Sequence, residues 1–216
     1  MCFYAFQILH SVQNDNFDLL GHEVFRLEFQ LPAGLNRIVH FQYHHRCFVP
    51  DLGRAIQFGL ATNGVEEVEI TGSIRWLTEH GATVHVVSPR IGGFHPTLGL
   101  RFPAQCATHV LAIRLMENAG WLKIDRYLDE AKIADYDACI FPGGCWNPDA
   151  LRADPLAQAF VRDMWNAGKP TCAICHGQWV MVSAGILKGR KATAVWNIHP
   201  DLANAGATVL DEPCVV

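Results

Sequence analysis

No run of apolar residues in this chain approaches the roughly 20 needed to cross a bilayer as a helix. Charge is scarce as well: 18% of the 216 residues are charged, 50% are apolar, and the formal net charge is only -4. Without a basic cluster there is no electrostatic footprint for nucleic acid or an acidic membrane surface, so neither is an expected partner. The segment from Met1 to Phe17 starts apolar but lacks a basic region and a small-residue cleavage site, which makes it a poor secretory signal. A cytoplasmic protein is the expectation. Internal repeats and low-complexity tracts are absent too. At this length the chain can bury one good core but not two.

Eight cysteines are present: Cys2, Cys47, Cys106, Cys139, Cys145, Cys172, Cys175 and Cys214. They are scattered through a core-forming composition, so mostly reduced thiols are expected rather than a disulfide framework. Five of the eleven histidines, His10, His22, His40, His44 and His45, fall in the first fifty-odd residues. His40 and His44 have the four-residue spacing of helical metal ligands, but no acidic or cysteine partner stands at suitable spacing. Surface or packing histidines are the expectation there, with no metal and no cofactor.

From about Ala55 onward short apolar runs alternate with longer amphipathic ones, as expected of a parallel sheet covered by helices. Ala55–Ala61 fits a first strand, Glu66–His80 a helix stopped by Gly81, and Thr83–Val87 a second strand closed by Ser88-Pro89. Arg90 to Gly120 is assigned only as a connector. Asp137–Phe141 is a buried strand entering Pro142-Gly143-Gly144, followed by one amphipathic helix over Asp149–Asn166. Pro170–Ile174 is the next strand and Gln178–Ala184 the next helix, and Lys191–Val195, a short helix near Asp201–Asn204, and Ala207–Leu210 complete the pattern. Residues 1–54 lie outside this rhythm as an extension of uncertain structure, and 55–216 form the domain.

The sharpest local signal is Thr171-Cys-Ala-Ile-Cys-His-Gly-Gln178, where an apolar strand stops at a cysteine and a glycine two residues later opens a helix. A thiol in such a turn faces the helix N-terminus and free backbone N–H groups, both of which favour thiolate. The geometry is that of a nucleophile elbow at the carboxyl edge of an open α/β sheet, where ligands bind. A free cysteine is also commonly just a small buried hydrophobe, and a Cys-His-Gly triplet alone does not separate the two. Pro142-Gly143-Gly144 can turn N–H groups toward the elbow as an oxyanion hole, although it can equally be an ordinary glycine turn. Glu69 follows the first strand and can reach the same edge, whereas Glu66 and Glu67 are expected on a solvated helix face.

Gly64-Val-Glu-Glu-Val-Glu69, Tyr136-Asp-Ala-Cys-Ile-Phe-Pro-Gly-Gly144 and Ala173-Ile-Cys-His-Gly177, in this order and spacing, together resemble the ThiJ/PfpI superfamily. Ala184-Gly-Ile-Leu-Lys-Gly-Arg190 and Asp201-Leu-Ala-Asn-Ala-Gly206 extend the likeness over about Ala55 to Val216. The resemblance implies an α/β, flavodoxin-like three-layer sandwich with a mostly parallel central sheet. It also implies a reactive Cys175, a neighbouring His176, a Glu69 hydrogen-bonded to the sulfur, and an oxyanion hole from Gly143, Gly144 and His176. In the PfpI branch an acidic residue from an adjacent subunit completes the Cys-His pair, and Asp149 matches that position, which implies a homo-oligomer, a dimer or hexamer. Family members usually continue into a further strand and terminal helix, which are missing here, so truncation at the carboxyl terminus is the expectation.

The chemistry expected of these parts is thiolate addition to a carbonyl, with Cys175 as nucleophile, Glu69 as acid/base, and His176 with Asp149 assisting. The expected substrates are small carbonyl compounds or glycated amines, in a glyoxalase- or deglycase-like reaction without cofactor. A cysteine peptidase or amidase uses a similar Cys-His-acid set. A redox-sensing or chaperone-like stress protein is the alternative of another class. Cys139 and Cys172 are expected buried, Cys145 within possible reach of Cys175, Trp146 and Trp179 as pocket walls or packing, and His199 as a residue that could approach from a later loop.

Overall fold

Two four-residue segments, Ala138–Phe141 and Thr171–Ile174, are buried at every position. That is what strands covered on both faces require. They form the centre of a sheet seen in a computed structural model that describes residues 3–6, 28–30, 38–40, 56–90, 106–212 and 214–215. In chain order the strands and helices are β1 (Phe3–Phe6), β2 (Glu28–Gln30), β3 (Ile38–His40), β4 (Ile56–Leu60), β5 (Val65–Glu66), α1 (Glu67–Glu79), β6 (Thr83–Ser88), β7 (His109–Arg114), β8 (Glu117–Lys123), β9 (Arg126–Tyr127) and β10 (Ala138–Phe141). There follow α2 (Trp146–Ala153), α3 (Pro155–Asn166), β11 (Thr171–Ile174), α4 (Gln178–Ala184), β12 (Lys191–Ala192), α5 (His199–Asn204), β13 (Thr208–Val209) and β14 (Cys214–Val215).

The main sheet has the order β14-β1-β11-β10-β4-β6-β9. Its pairings are parallel except that of β14 with β1. The backbone of Phe3–Phe6, from the amino-terminal extension, thus runs beside β11. On one face Phe141, Ala173 and Leu60 pack with Phe160, Val161 and Met164 of α3 and Val180 and Met181 of α4. On the other, Ala138, Ile140, Cys172 and Ile174 meet Leu77 and Trp76 of α1. This is the flavodoxin-like α/β sandwich. The chain enters β4, moves outward to β6, and then returns to the other side of β4 to lay down β10. At such a reversal of strand order the loops at the carboxyl ends diverge and leave a crevice for ligands.

Two assignments need correction. The helix expected over Asp149–Asn166 is two helices, α2 and α3, broken at Asp154. Proline disfavours helical backbone in the residue before it, and Asp154 is extended, at φ -86° and ψ 117°. Its carboxylate accepts from Leu156 N at 2.7 Å and Ala157 N at 3.1 Å, capping α3. The stretch assigned only as a connector carries the antiparallel hairpin β7–β8, whose inner edge pairs with β5. Residues 91–105 lie outside the described residues, as do His10, His22, His44 and His45, so the His40/His44 spacing is not tested; His40 ends β3. Among the described residues no group of three or more His, Cys, Asp or Glu could hold a metal ion, and no helix is long and apolar enough to cross a membrane.

The α3 cap gives a stability prediction that is independent of the site. Asp154→Ala should lower unfolding free energy by about 1 kcal/mol in urea titrations, while the alkylation rate of Cys175 stays unchanged.

Candidate active site

Three strand ends supply the site. β4 runs into Ala61–Gly64, β10 into Pro142-Gly143-Gly144, and β11 into Cys175. Asn147, fully buried in α2, stitches the first two together: its Oδ1 accepts from Thr62 N at 2.7 Å, and its Nδ2 donates to Pro142 O at 2.8 Å and Gly143 O at 3.2 Å. Glu66 N adds a bond to Gly143 O at 3.3 Å. The peptide between Gly143 and Gly144 is therefore fixed from several sides before any ligand arrives.

Cys175 has φ +54°, in the left-handed region that non-glycine residues enter at a cost of about 1–3 kcal/mol. The turn holds because Gly177, two residues on, passes directly against the end of β10; a Cβ there would collide with the Phe141 carbonyl oxygen. The approach at Gly143 is equally close, since a methyl at that position would lie 2.8 Å from Cys175 Cβ, 2.8 Å from Glu69 Oε2 and 3.0 Å from His176 N. Cysteine, glutamate and elbow amide thus converge on one glycine.

Glu69 is 3% exposed in the first turn of α1 and accepts from Gly143 N at 2.5 Å. Burial raises its pKa to about 8, only partly offset by the Gly143 bond. Its carboxyl is hydrogen-bonded to the Cys175 sulfur. The Cys175 thiol is pushed up by burial first, then by the adjacent Glu69 charge, against a lowering bond from the His176 backbone N–H. His176 Nδ1 lies 3.2 Å from Sγ, and burial lowers the imidazole pKa, which favours the neutral ring. Its edge meets Trp179, ring centroids 5.0 Å apart, and Trp179 Nε1 donates to Asp201 Oδ2 at 2.8 Å. Arg152 lies over Trp179 at 5.1 Å.

These observations revise several expectations. Cys175, His176 and Glu69 come together, with the sulfur half-buried and flanked by a carboxyl and a main-chain donor. The helix N-terminus and backbone N–H groups expected to favour thiolate are opposed by burial, which pushes the Cys175 thiol up together with the adjacent Glu69 charge, while the Glu69 carboxyl is itself pushed up to about 8. The N–H of Gly143 is taken by Glu69 rather than left open for an oxyanion. Gly144 is buried in the same turn. Asp149 is exposed in the first turn of α2 and shares no hydrogen bond with the Cys175–His176 pair of its own chain.

Glu66 is buried, not solvated, and accepts from Leu115 N, while Glu67 pairs with Arg114 at 2.7 Å. His199 bonds Ala194 O at 3.0 Å, and the later segment reaches the site instead through Asn197, whose Nδ2 lies 3.3 Å from His176 Nε2. Cys139 and Cys172 are buried and Cys145 is exposed. Asn147 and Asn197 were the residues sequence reasoning missed. The Asn-Pro step after the glycine turn was the available signal for Asn147, and nothing local marked Asn197.

A cysteine elbow facing a buried glutamate at the strand-order reversal of a parallel sheet defines a class of open α/β proteins. The DJ-1/PfpI family profile matches residues 55–216, and the chain belongs to that family. Protein/nucleic acid deglycase 2 of Escherichia coli is 47% identical over 93 residues, 43% of this chain and 54% of the relative. The matched stretch thus spans about half the length of that relative. Deglycase PfpI of Pyrococcus furiosus is 32% identical over 157 residues, 73% of this chain and 82% of the relative. Among solved structures, a two-domain protein from Anabaena variabilis with DJ-1/ThiJ/PfpI-like and ferritin-like domains superposes with a TM-score of 0.62. It is 27% identical, over 74% of this chain and 40% of that one.

The raised Glu69 pKa has a stability consequence whose sign is fixed. Between the ordinary carboxyl value of 4.5 and about 8, the folded chain holds a proton that the unfolded chain has released. Stability therefore falls as pH rises through that window. Glu69→Gln should flatten the dependence, gaining on the wild type by an amount on the order of a few kcal/mol between pH 5 and pH 8 in chemical denaturation. Parallel curves for the two proteins would contradict it.

Proposed function

We propose that the chain is a cofactor-independent cysteine enzyme of the deglycase or glyoxalase type, acting on reactive aldehydes or on the amines they have glycated. The observation that carries this is the contact of the half-buried Cys175 sulfur with both a proton-holding Glu69 and the neutral His176 ring. Sulfur and carboxyl together exchange one proton. In the state with the proton on Glu69, the sulfur attacks the carbonyl carbon; a C–S bond forms, the C=O π pair moves to oxygen, and the Glu69 acid protonates that oxygen. With methylglyoxal the product is a hemithioacetal.

Glu69, now a carboxylate, accepts the carbon-bound proton of the hemithioacetal and returns it to the neighbouring carbon, while the hydroxyl proton passes to the former ketone oxygen. This gives a thioester with no external oxidant or reductant. Water then cleaves the C–S bond, releases a hydroxy acid and restores the thiol; with a glycated amine the sulfur displaces the nitrogen at the same carbon, the nitrogen leaves with the C–N pair and the Glu69 proton as the repaired amine, and the hemithioacetal that remains follows the same course. The names of the matched deglycases favour this reading over a peptidase or amidase. His176 assists by donating toward the sulfur. Asp149, exposed and unengaged with the pair of its own chain, is proposed to face the mouth of the Cys175 site of a second copy in a homo-oligomer, where it assists without bonding the imidazole.

The test is a panel of methylglyoxal, a glycated amino acid and a casein-type peptide, run on wild type and Cys175→Ala. Aldehyde consumption or amine release that vanishes in the variant is expected, with kcat/KM in the wild type rising through about pH 8 as the pair loses its first proton. Turnover unchanged in Cys175→Ala rejects the reading. Glu69→Gln should lower kcat by about 10²–10⁴-fold.

A further inference from the structure

The imidazole of His176 is addressed on both nitrogens. Nδ1 lies 3.2 Å from Cys175 Sγ, and Nε2 lies 3.3 Å from Asn197 Nδ2. A carboxamide nitrogen only donates, so the nitrogen it meets must present a lone pair. We propose that Asn197 is a positioning residue that holds the His176 proton on Nδ1, facing the sulfur, in a Cys175–His176–Asn197 relay. The proposal rests on Cys175 being the nucleophile, but it concerns the free protein.

Asn197 sits in a 3-10 turn over Trp196–Ile198 that precedes α5, and its side chain is exposed. The loop geometry is set by its neighbours: Ile198 is buried in the core, Ile198 N donates to Val195 O at 3.1 Å, and Trp179 Nε1 ties α4 to Asp201 of α5. The ring is thereby clamped between the sulfur, the edge of Trp179 and the carboxamide. The charged or titratable groups around it are Cys175 and, through the sulfur, Glu69; behind Trp179 stand Asp201 and Arg152. Among the described residues, Cys175 Sγ and Asn197 Nδ2 are the partners of the ring nitrogens, and neither is a carboxylate.

With its proton on Nδ1 the neutral ring is a hydrogen-bond donor to sulfur and cannot take the thiol proton. That task falls to Glu69, so one partner holds the proton while the other supports the developing thiolate. A Cys-His-Asn set is known chemistry for orienting an imidazole. Exchanging the amide for a carboxylate reverses the relay: an Asp accepts from Nε2–H, leaves Nδ1 bare toward the sulfur and stabilises imidazolium.

The experiment is nitrogen NMR of the His176 ring in the ligand-free 216-residue chain, with the alkylation rate of Cys175 by iodoacetamide measured beside it. In wild type the proton should be on Nδ1, with Nε2 showing the shift of an acceptor. Asn197→Ala should give a mixture of tautomers and a two- to five-fold slower alkylation at pH 7. Asn197→Asp should move the proton to Nε2 and raise the His176 pKa by about one unit. Because Asn197 is exposed, both variants are expected to fold, and circular dichroism checks it. A wild-type proton on Nε2, or a tautomer and pKa identical in all three proteins, overturns the proposal. Loss of aldehyde turnover as a function would leave these ring signals untouched.

Discussion

The site depends on a single buried contact, the one between the Glu69 carboxyl and the Cys175 sulfur, held in place by the N–H of Gly143. Two acidic groups in one desolvated space cannot both ionise without a large penalty, so they behave as one acid with two positions for its proton. Much of the surrounding architecture serves that arrangement. Gly143 lets the two side chains approach, Gly177 brings the elbow down onto the end of β10, and Asn147 locks the glycine turn to the loop after β4. The strained backbone at Cys175 is tolerated because all of these contacts define its position together.

The pattern of apolar runs predicted the parallel sheet and its covering helices well, because strands buried on both faces leave an unbroken apolar signature. The limits of β10, β11 and α4 follow directly from where Pro142, Cys175 and Gly185 interrupt that signature. The break between α2 and α3 was also written in the residues, as an Asp-Pro step. There the hydrophobic periodicity runs on across the step, and the backbone restriction imposed by proline overrides it.

The site was legible only where chemistry is local in the chain. Cys175, His176 and the glycine turn announce themselves by spacing, and Glu69 by its place after a strand. The protonation of the sulfur was not legible, since the balance between desolvation and helix dipole depends on how deeply the elbow is packed. Glu66 is the converse case: in sequence it looks like its neighbour Glu67, yet the β7–β8 hairpin covers it and supplies Leu115 N. Asn197 enters through a tertiary approach between the turn before α5 and the start of α4, which no window of sequence contains.

The bonds that build the site span long stretches of chain: Gly143 to Glu69 covers 74 residues and Thr62 to Asn147 covers 85. Contacts of such separation form late, after the entropy of closing large loops has been met. A nascent or partly unfolded polypeptide thus presents Cys175 as an ordinary solvated thiol, with neither carboxyl nor imidazole beside it. Damage by indiscriminate electrophiles in that interval would be a hazard of synthesis, and completion of the fold is what turns a vulnerable side chain into a selective one.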